Sequence, residues 1–286
     1  MLDEESFDMN DYDEESIAAG TESKYCMALI KRFKIEQAKQ DRGGIYGETQ
    51  RSMAYNSNKI EGSTLTEDQT ATLFESRYLP TSDEPYRAKD IEEMTGHFLM
   101  FNKMLETIES PLTQQLIKDF HYALKAGVFE DRANGYAIGE YKKRKNTVAR
   151  LNTAAPENVE ERMEALLQEY SARDKNIETM AWLHAQYELI HPFQDGNGRV
   201  GRMIILKQCL DNNMVPVIIR DENKSEYYRC LNKAQHMRDY DGLVRYFEKE
   251  QEYYKSNTIK MLYSYEELKE ASYENDEPDE EYIPNI

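Results

Sequence analysis

Apolar residues along this chain recur at three- and four-residue spacing and seldom alternate with polar ones, the periodicity of helices sharing a core rather than of half-buried strands. Helices are predicted over roughly 24–40, 47–61, 66–77, 87–108, 112–126, 157–173, 177–190, 198–212, 223–235 and 239–263. Thr66-Glu67-Asp68-Gln69 has capping-box spacing, and Pro156 followed by Glu157 suits a first turn. Two of these helices flank a short loop. Before it, Met180, Leu183, Tyr187 and Ile190 form a buried stripe; after it, Val200, Met203, Ile204, Ile205, Leu206, Cys209 and Leu210 are apolar almost all round, which marks a buried helix. One segment resists a helical reading, "NGYAIGEYKKRKNTVARL" from Asn134 to Leu151. Its Asn-Gly pair, second glycine and β-tolerant Tyr, Thr and Val around a basic tip predict a hairpin. The expected fold class is therefore all-α, mainly helical, with a small β-hairpin.

Length and charge refine this picture. At 286 residues one main domain with an N-terminal attachment is expected: an acidic segment over 1–20, a helical region over 21–85, a core domain over 86–263 and an acidic tail over 264–286. The net charge of −18 is concentrated at the ends, which carry −8 each over residues 1–16 and 266–281 and leave about −2 for the body. Both ends read as solvated, disordered segments, and the near-neutral body is free to hold a local positive site. Cys26, Cys209 and Cys230 are odd in number and lack metal-ligand spacing, which favours reduced thiols in a cytoplasmic protein. No basic segment leads into an apolar run at the start, and no apolar stretch nears membrane-spanning length, so secretion and membrane spanning are not expected. Nucleic-acid binding has only the "KKRK" cluster behind it.

The loop between the two apolar helices is "HPFQDGNGRVGR", His191 to Arg202. Pro192 disfavours helical geometry at the residue before it, so a helix should end there with the His191 ring aimed out of the bundle. Gly196 and Gly198 permit a tight turn that opens the next helix, where unpaired backbone N–H groups at the positive dipole end form an anion site, with phosphate the natural anion. Arg199 and Arg202, one turn apart, can reach successive phosphates. Asp195 could hold Mg²⁺ through one carboxylate while phosphates complete its shell, and a neutral His191 is suited to take a proton from an attacking hydroxyl. Taken singly, a histidine before proline or an Asn-Gly pair usually serves the backbone alone; it is the combination, in this order, that points to a nucleoside-triphosphate site with a base. His184 and His191 share a helix face and offer a metal alternative, but no third ligand has compatible spacing, and His184 reads as a core histidine.

This stretch resembles the signature of the Fic family, H-P-F-x-[D/E]-G-N-G-R-x-x-R, at every constrained position. The resemblance extends to "HAQYELIHPF", to "GEYKKRKNTV" at the place of the family's flap and to "SEYYRCLNKA", and covers roughly residues 50–250. It implies a helical protein adenylyltransferase that moves AMP from ATP to a hydroxyl of a target protein and releases pyrophosphate. In that reading His191 is the base and Asp195 holds Mg²⁺ between the α- and β-phosphates. Gly196, Asn197 and Gly198 form the anion hole, Arg199 meets the β-phosphate, Arg202 the γ-phosphate, and Tyr228 lines the nucleoside pocket. The flap residues Tyr141, Lys142, Lys143, Thr147 and Val148 would dock the target segment by strand addition. The partners implied are a protein target, this chain's own tails with Tyr12, Tyr265, Tyr273 and Tyr282 included, and a second copy of the chain.

A second motif lies upstream. Ser57 and Glu61 in "NSNKIEG" are four apart and share a helix face, and Gly62 suits the position that ends the helix. Alone the pattern is weak; beside the signature it resembles the family's inhibitory motif, [S/T]-x-x-x-E-[G/N], in which the glutamate would pair with Arg202 and withhold it from the γ-phosphate. A related transferase, the reverse AMP-removing hydrolase, and a binding module with a vestigial site are the alternative functions.

Overall fold

Each helix of the bundle begins and ends where local chemistry allows it. The computed structural model describes residues 22–79, 85–148 and 151–274. Helix α1 spans Glu22–Lys39, α2 Ile45–Ile60 and α3 Glu67–Ser76. Thr66 caps α3 with a complete capping box: its side chain accepts from the Gln69 backbone while Gln69 returns to the Thr66 backbone. Helices α4 (Ala88–Glu106) and α5 (Gln114–Lys125) follow, and then a short α6 (Phe129–Ala133) absent from the sequence expectation. A 3₁₀ turn at Pro156–Asn158 leads into α7 (Val159–Ala172); α8 (Ile177–Ile190), α9 (Asn197–Asp211), α10 (Lys224–Met237) and α11 (Asp241–Glu274) complete the order.

Helix α9 is the centre of the molecule. It packs against α8, α4, α5 and α2, and every residue from Val200 to Leu210 is buried. Phe101, Phe120, Phe193 and Phe247 fill the core around it, each fully buried, at about 1.5–3 kcal/mol of transfer free energy per large apolar side chain. Helices α4 and α5 approach so closely that a β-carbon at Gly96 would stand 1.9 Å from the Leu124 carbonyl oxygen. That contact sets Glu93 on α4 beside Lys125 on α5.

The segment expected to form a hairpin from 134 to 151 does not do so over that length. Thr147–Val148 (β1) pairs antiparallel with Leu151–Asn152 (β2), Thr147 opposite Asn152 and Val148 opposite Leu151, and the residues before them run through turns and irregular chain. Gly135 and Gly139 take left-handed backbone angles, φ 66° and 74°, and the donors a ladder would need go to the body instead: Gly139 N to His121 Nδ1 at 2.9 Å and Lys142 N to the Pro192 carbonyl at 2.9 Å.

The other departure is at the C-terminal end, where α11 continues past residue 263 into the stretch read as tail. The run Glu266-Glu267-Leu268-Lys269-Glu270-Ala271 is rich in strong helix formers, which outweigh the charge density. Tyr265 and Tyr273 fall on this helix; the acidic segment 1–20 with Tyr12, and the end of the chain with Tyr282, lie outside the described residues. Cys26, Cys209 and Cys230 are all buried and in no disulfide. No described helix is long and apolar enough to cross a membrane.

Candidate active site

Pro192 ends α8 at His191, the expected base. His191 is its C-cap in the left-handed conformation (φ 52°, ψ 63°), with its N–H on the Tyr187 carbonyl at 2.9 Å. The following loop is closed by Asn197, whose Oδ1 accepts from Phe193 N at 2.7 Å and whose Nδ2 donates to Phe193 O at 2.8 Å. Gly196, at φ 82°, turns the chain into α9. Below the loop the Phe193 ring stacks on His121 with centroids 3.9 Å apart, and His121 Nε2 lies 3.1 Å from the Asp195 carbonyl. The loop thus has little freedom, and Asn197, expected in the anion hole, has its side chain committed to the turn.

His191 is held neutral. Burial, with the Lys142 ammonium adding to it, takes its pKa down to about 4. Its Nδ1 lies 3.8 Å from Glu188 Oε2, and neither Nδ1 nor Glu188 Oε1 has a hydrogen-bond partner among the described residues. Burial raises the Glu188 carboxyl to about 8, so it stays protonated at neutral pH. Gly201 makes room for it: a β-carbon there would stand 2.5 Å from Glu188 Oε1.

The positive end of α9 already faces an anion. Helix α2 ends at Ile60, Glu61 is its C-cap, and Gly62 at φ 91° releases the chain. The Glu61 carboxylate reaches across to α9, where Arg202 Nη2 donates to Oε1 at 2.7 Å; a β-carbon at Gly198 would stand 2.2 Å from the same oxygen. Ser57 holds the other side of Arg202, its Oγ accepting from Nε at 2.9 Å and its carbonyl from Nη2 at 3.0 Å. Arg199 is equally enclosed: Nη1 lies 2.7 Å from Glu93 Oε2 and donates to Asn58 Oδ1 at 3.2 Å, and Nη2 is 3.7 Å from Asp195 Oδ1.

Asp195 sits where the loop meets α5. Burial raises its carboxyl, but Arg199 and Lys125 prevail and hold it well below the usual carboxylate range. Its Oδ1 accepts from Gly196 N at 2.8 Å, while Oδ2 is 2.8 Å from Lys125 Nζ. The Lys125 ammonium, fully buried, also contacts Glu93 and lies 2.6 Å from Asp131 Oδ2. As a metal position the donor set fits Mg²⁺ in one way: Asp195 is ionised and a third exposed, so one carboxylate is available beside the anion site. His184, the alternative ligand, is a core residue; burial lowers its pKa to about 3 and its Nε2 is 2.7 Å from the Tyr227 hydroxyl.

Of the remaining predicted residues, Tyr228 is half-exposed on α10 with its ring 5.1 Å from Tyr227, and the charge of Glu61 bears on its hydroxyl. Tyr141 and Lys142 are engaged by the body of the protein. The Tyr141 hydroxyl donates to Gln114 Oε1 at 2.8 Å and its ring packs on Phe193; Lys142 is buried, donating to Asn146 Oδ1 at 2.6 Å and Thr153 Oγ1 at 2.9 Å. They anchor the segment because its backbone donors are drawn into the body. Lys143 is exposed, and Thr147 and Val148 form β1. Sequence reasoning missed Glu93, His121, Lys125, Asp131 and Glu188. Only Glu188 left a signal, an acid in the last turn of an otherwise apolar stretch, three residues before His191.

Residues 111–209 match the Fic/DOC family. The chain is 27% identical over 186 residues to protein adenylyltransferase Fic of Nematostella vectensis, covering 64% of this chain and 42% of the relative. It is 26% identical over 203 residues to protein adenylyltransferase fic-1 of Caenorhabditis elegans, covering 69% and 39%. The chain therefore matches about two-fifths of the length of these relatives. The fold is that of a Fic-domain signalling protein of Bacteroides thetaiotaomicron, with TM-score 0.69 at 24% identity over 85% of this chain and 97% of that one. The chain carries a Fic/DOC family domain, and the loop from His191 to Arg202 lies within it.

Proposed function

We propose that the protein is a protein adenylyltransferase that transfers AMP from ATP to a hydroxyl side chain of a protein target and is held inactive by Glu61. The observation that carries this reading is the seat of Glu61: its carboxylate lies against Gly198 and on Arg202, so an anion is bound at the end of α9 where the motif places phosphate. Relatives named protein adenylyltransferase support the reaction class.

In this mechanism the target hydroxyl gives its proton to His191, whose neutral form is secured by burial. The oxygen bonds to the α-phosphorus, the bond from that phosphorus to the bridging oxygen breaks, and pyrophosphate leaves. The backbone N–H groups at the start of α9 and the Arg199 and Arg202 guanidiniums meet the charge that develops on the leaving group. Asp195 would hold Mg²⁺, which when bound neutralises phosphate charge. Lys143 and the backbone of Thr147–Val148 remain to guide the target segment. With Glu61 in place Arg202 is withheld, and ATP that binds does so with its α-phosphate off the line of attack.

The test is the position of the label. Full-length Glu61→Gly incubated with ATP labelled at the α-phosphate is expected to label protein bands in lysate, with Glu61→Gly/His191→Ala giving none. Label arriving from the γ-phosphate instead, or equal labelling by the two variants, overturns the reading.

A further inference from the structure

Buried lysines are costly unless paired, and Lys125 is paired three times over, with Glu93, Asp131 and Asp195. One carboxylate oxygen from each of these three residues lies within 4.8 Å of the other two, a spacing that also suits a divalent ion. The cage is closed on its inner side, with Lys125 and Asp131 fully buried and Glu93 nearly so, and opens at Asp195. Asp131 is unusual within it. Neither of its oxygens has an aligned hydrogen bond although Lys125 Nζ is 2.6 Å away, so the pair is a charge contact without good donor geometry. Lys89 adds a second cation at the edge, 3.8 Å from Asp195 Oδ2.

The ammonium therefore stands where a hard cation would be bound by protein alone, and it shares one ligand, Asp195, with the nucleotide side of the site. We propose that Lys125 is a positioning residue that serves as a built-in cation: it fixes the Asp195 carboxylate and fills the Glu93–Asp131–Asp195 cage, so that a divalent metal is admitted only in company with the triphosphate. The link to the triphosphate rests on the adenylyltransferase reading. Occupancy of the cage does not, and it is tested without the reaction.

Mn²⁺ is titrated into the full-length, nucleotide-free protein, with free ion read by its electron paramagnetic resonance signal. Wild type is expected to bind weakly. Lys125→Met, which keeps the length of the side chain and removes its charge, is expected to bind at least about tenfold more tightly, the cage then offering three carboxylates and no competing ammonium. Lys125→Arg, which keeps the charge, should stay within a few-fold of wild type. Melting supplies the second readout: Mn²⁺ should raise the melting temperature of Lys125→Met and leave wild type unmoved, whereas a lysine that only supports the fold would give a lower melting temperature indifferent to the ion. If Lys125→Met does not fold, Lys125→Gln/Asp131→Asn restores the charge balance and is read the same way, with several-fold tighter binding than wild type expected. Mn²⁺ affinity no tighter than wild type in the folded variant overturns the proposal. Failure of Glu61→Gly to transfer AMP would remove the functional reading and leave the titration result standing.

Discussion

Arg199 and Arg202 lie one turn apart on α9 and are equally buried, yet their partners are of opposite kinds. Glu93, which holds Arg199, projects from α4 inside the bundle, is nearly buried and is tied at its other oxygen to Lys125. Burial works against its ionisation, but Arg199 and Lys125 prevail and its carboxyl sits below the usual range. Glu61, which holds Arg202, caps the end of a helix, is 32% exposed, and is followed by Gly62, around which a β-carbon would find open space. The first pair cannot part without leaving a buried charge; the second can part by movement of one helix end, with water or an anion taking the vacated place. In the proposed mechanism one arginine is a fixed part of the site and the other is a part that can be withheld.

The comparison predicts opposite effects for the two glutamates. Removing Glu61 frees a forked donor for the developing charge, so Glu61→Gly should raise AMP transfer on the order of a hundredfold, the usual worth of a donor made available in the transition state. Removing Glu93 leaves Arg199 and Lys125 without their shared carboxylate; Glu93→Gln added to Glu61→Gly should lower transfer by about tenfold or more. Initial rates of α-label incorporation check both, and the two changes acting in the same direction would erase the distinction between the clamps.

A smaller effect separates them by pH. The charge of Glu61 raises the His191 pKa, whereas that of Glu93 is not among the leading influences on it. A negative charge favours the protonated imidazole, so its loss makes His191 harder to protonate and extends the neutral base to lower pH. The acid limb of kcat/KM should therefore lie below the ordinary histidine value in Glu61→Gly, and Glu93→Gln in that background should leave it in place. Replacing Lys142, whose ammonium lowers the His191 pKa, by Gln should move the limb upward. A limb that moves with Glu93 and not with Lys142 would place the titration elsewhere.

Much of this was written locally in the chain. Pro192 ends a helix at His191, the Thr66 box starts one, and the apolar run after Val200 makes a buried helix; each depends on residues within a turn or two of one another. Ser57, Glu61 and Gly62 were legible for the same reason, since helix-face spacing and a glycine stop are short-range signals. The cage around Lys125 was not legible. Its members come from four separate places in the chain and meet only because Gly96 lets α4 and α5 approach, and a buried Lys or Glu looks in sequence like a surface one. The segment from Asn134 misled because glycines and β-tolerant residues signal extended chain without saying where its donors will go; His121 and Pro192 take them. Nor could spacing reveal that Arg199, expected to meet phosphate, is already engaged by Glu93 and Asn58.

The finest division between the clamps concerns Ser57. Arg202 is held on two sides, by Glu61 through Nη2 and by Ser57 through Nε and Nη2, and the Ser57 hydroxyl is one neutral acceptor among these. Ser57→Ala keeps the carbonyl contact and the Glu61 pair and leaves Nε without its acceptor in a buried place, at about 1 kcal/mol for the lost bond. If that acceptor matters mainly when Arg202 is turned to Glu61, the withheld state loses stability relative to the competent one, and basal AMP transfer should rise by roughly fivefold. If Ser57 steadies the guanidinium equally for phosphate, the same change in the Glu61→Gly background should lower transfer by a similar factor and basal activity should stay where it was. Measuring Ser57→Ala with and without Glu61 thus tells whether the serine belongs to the brake or to the site that the brake covers.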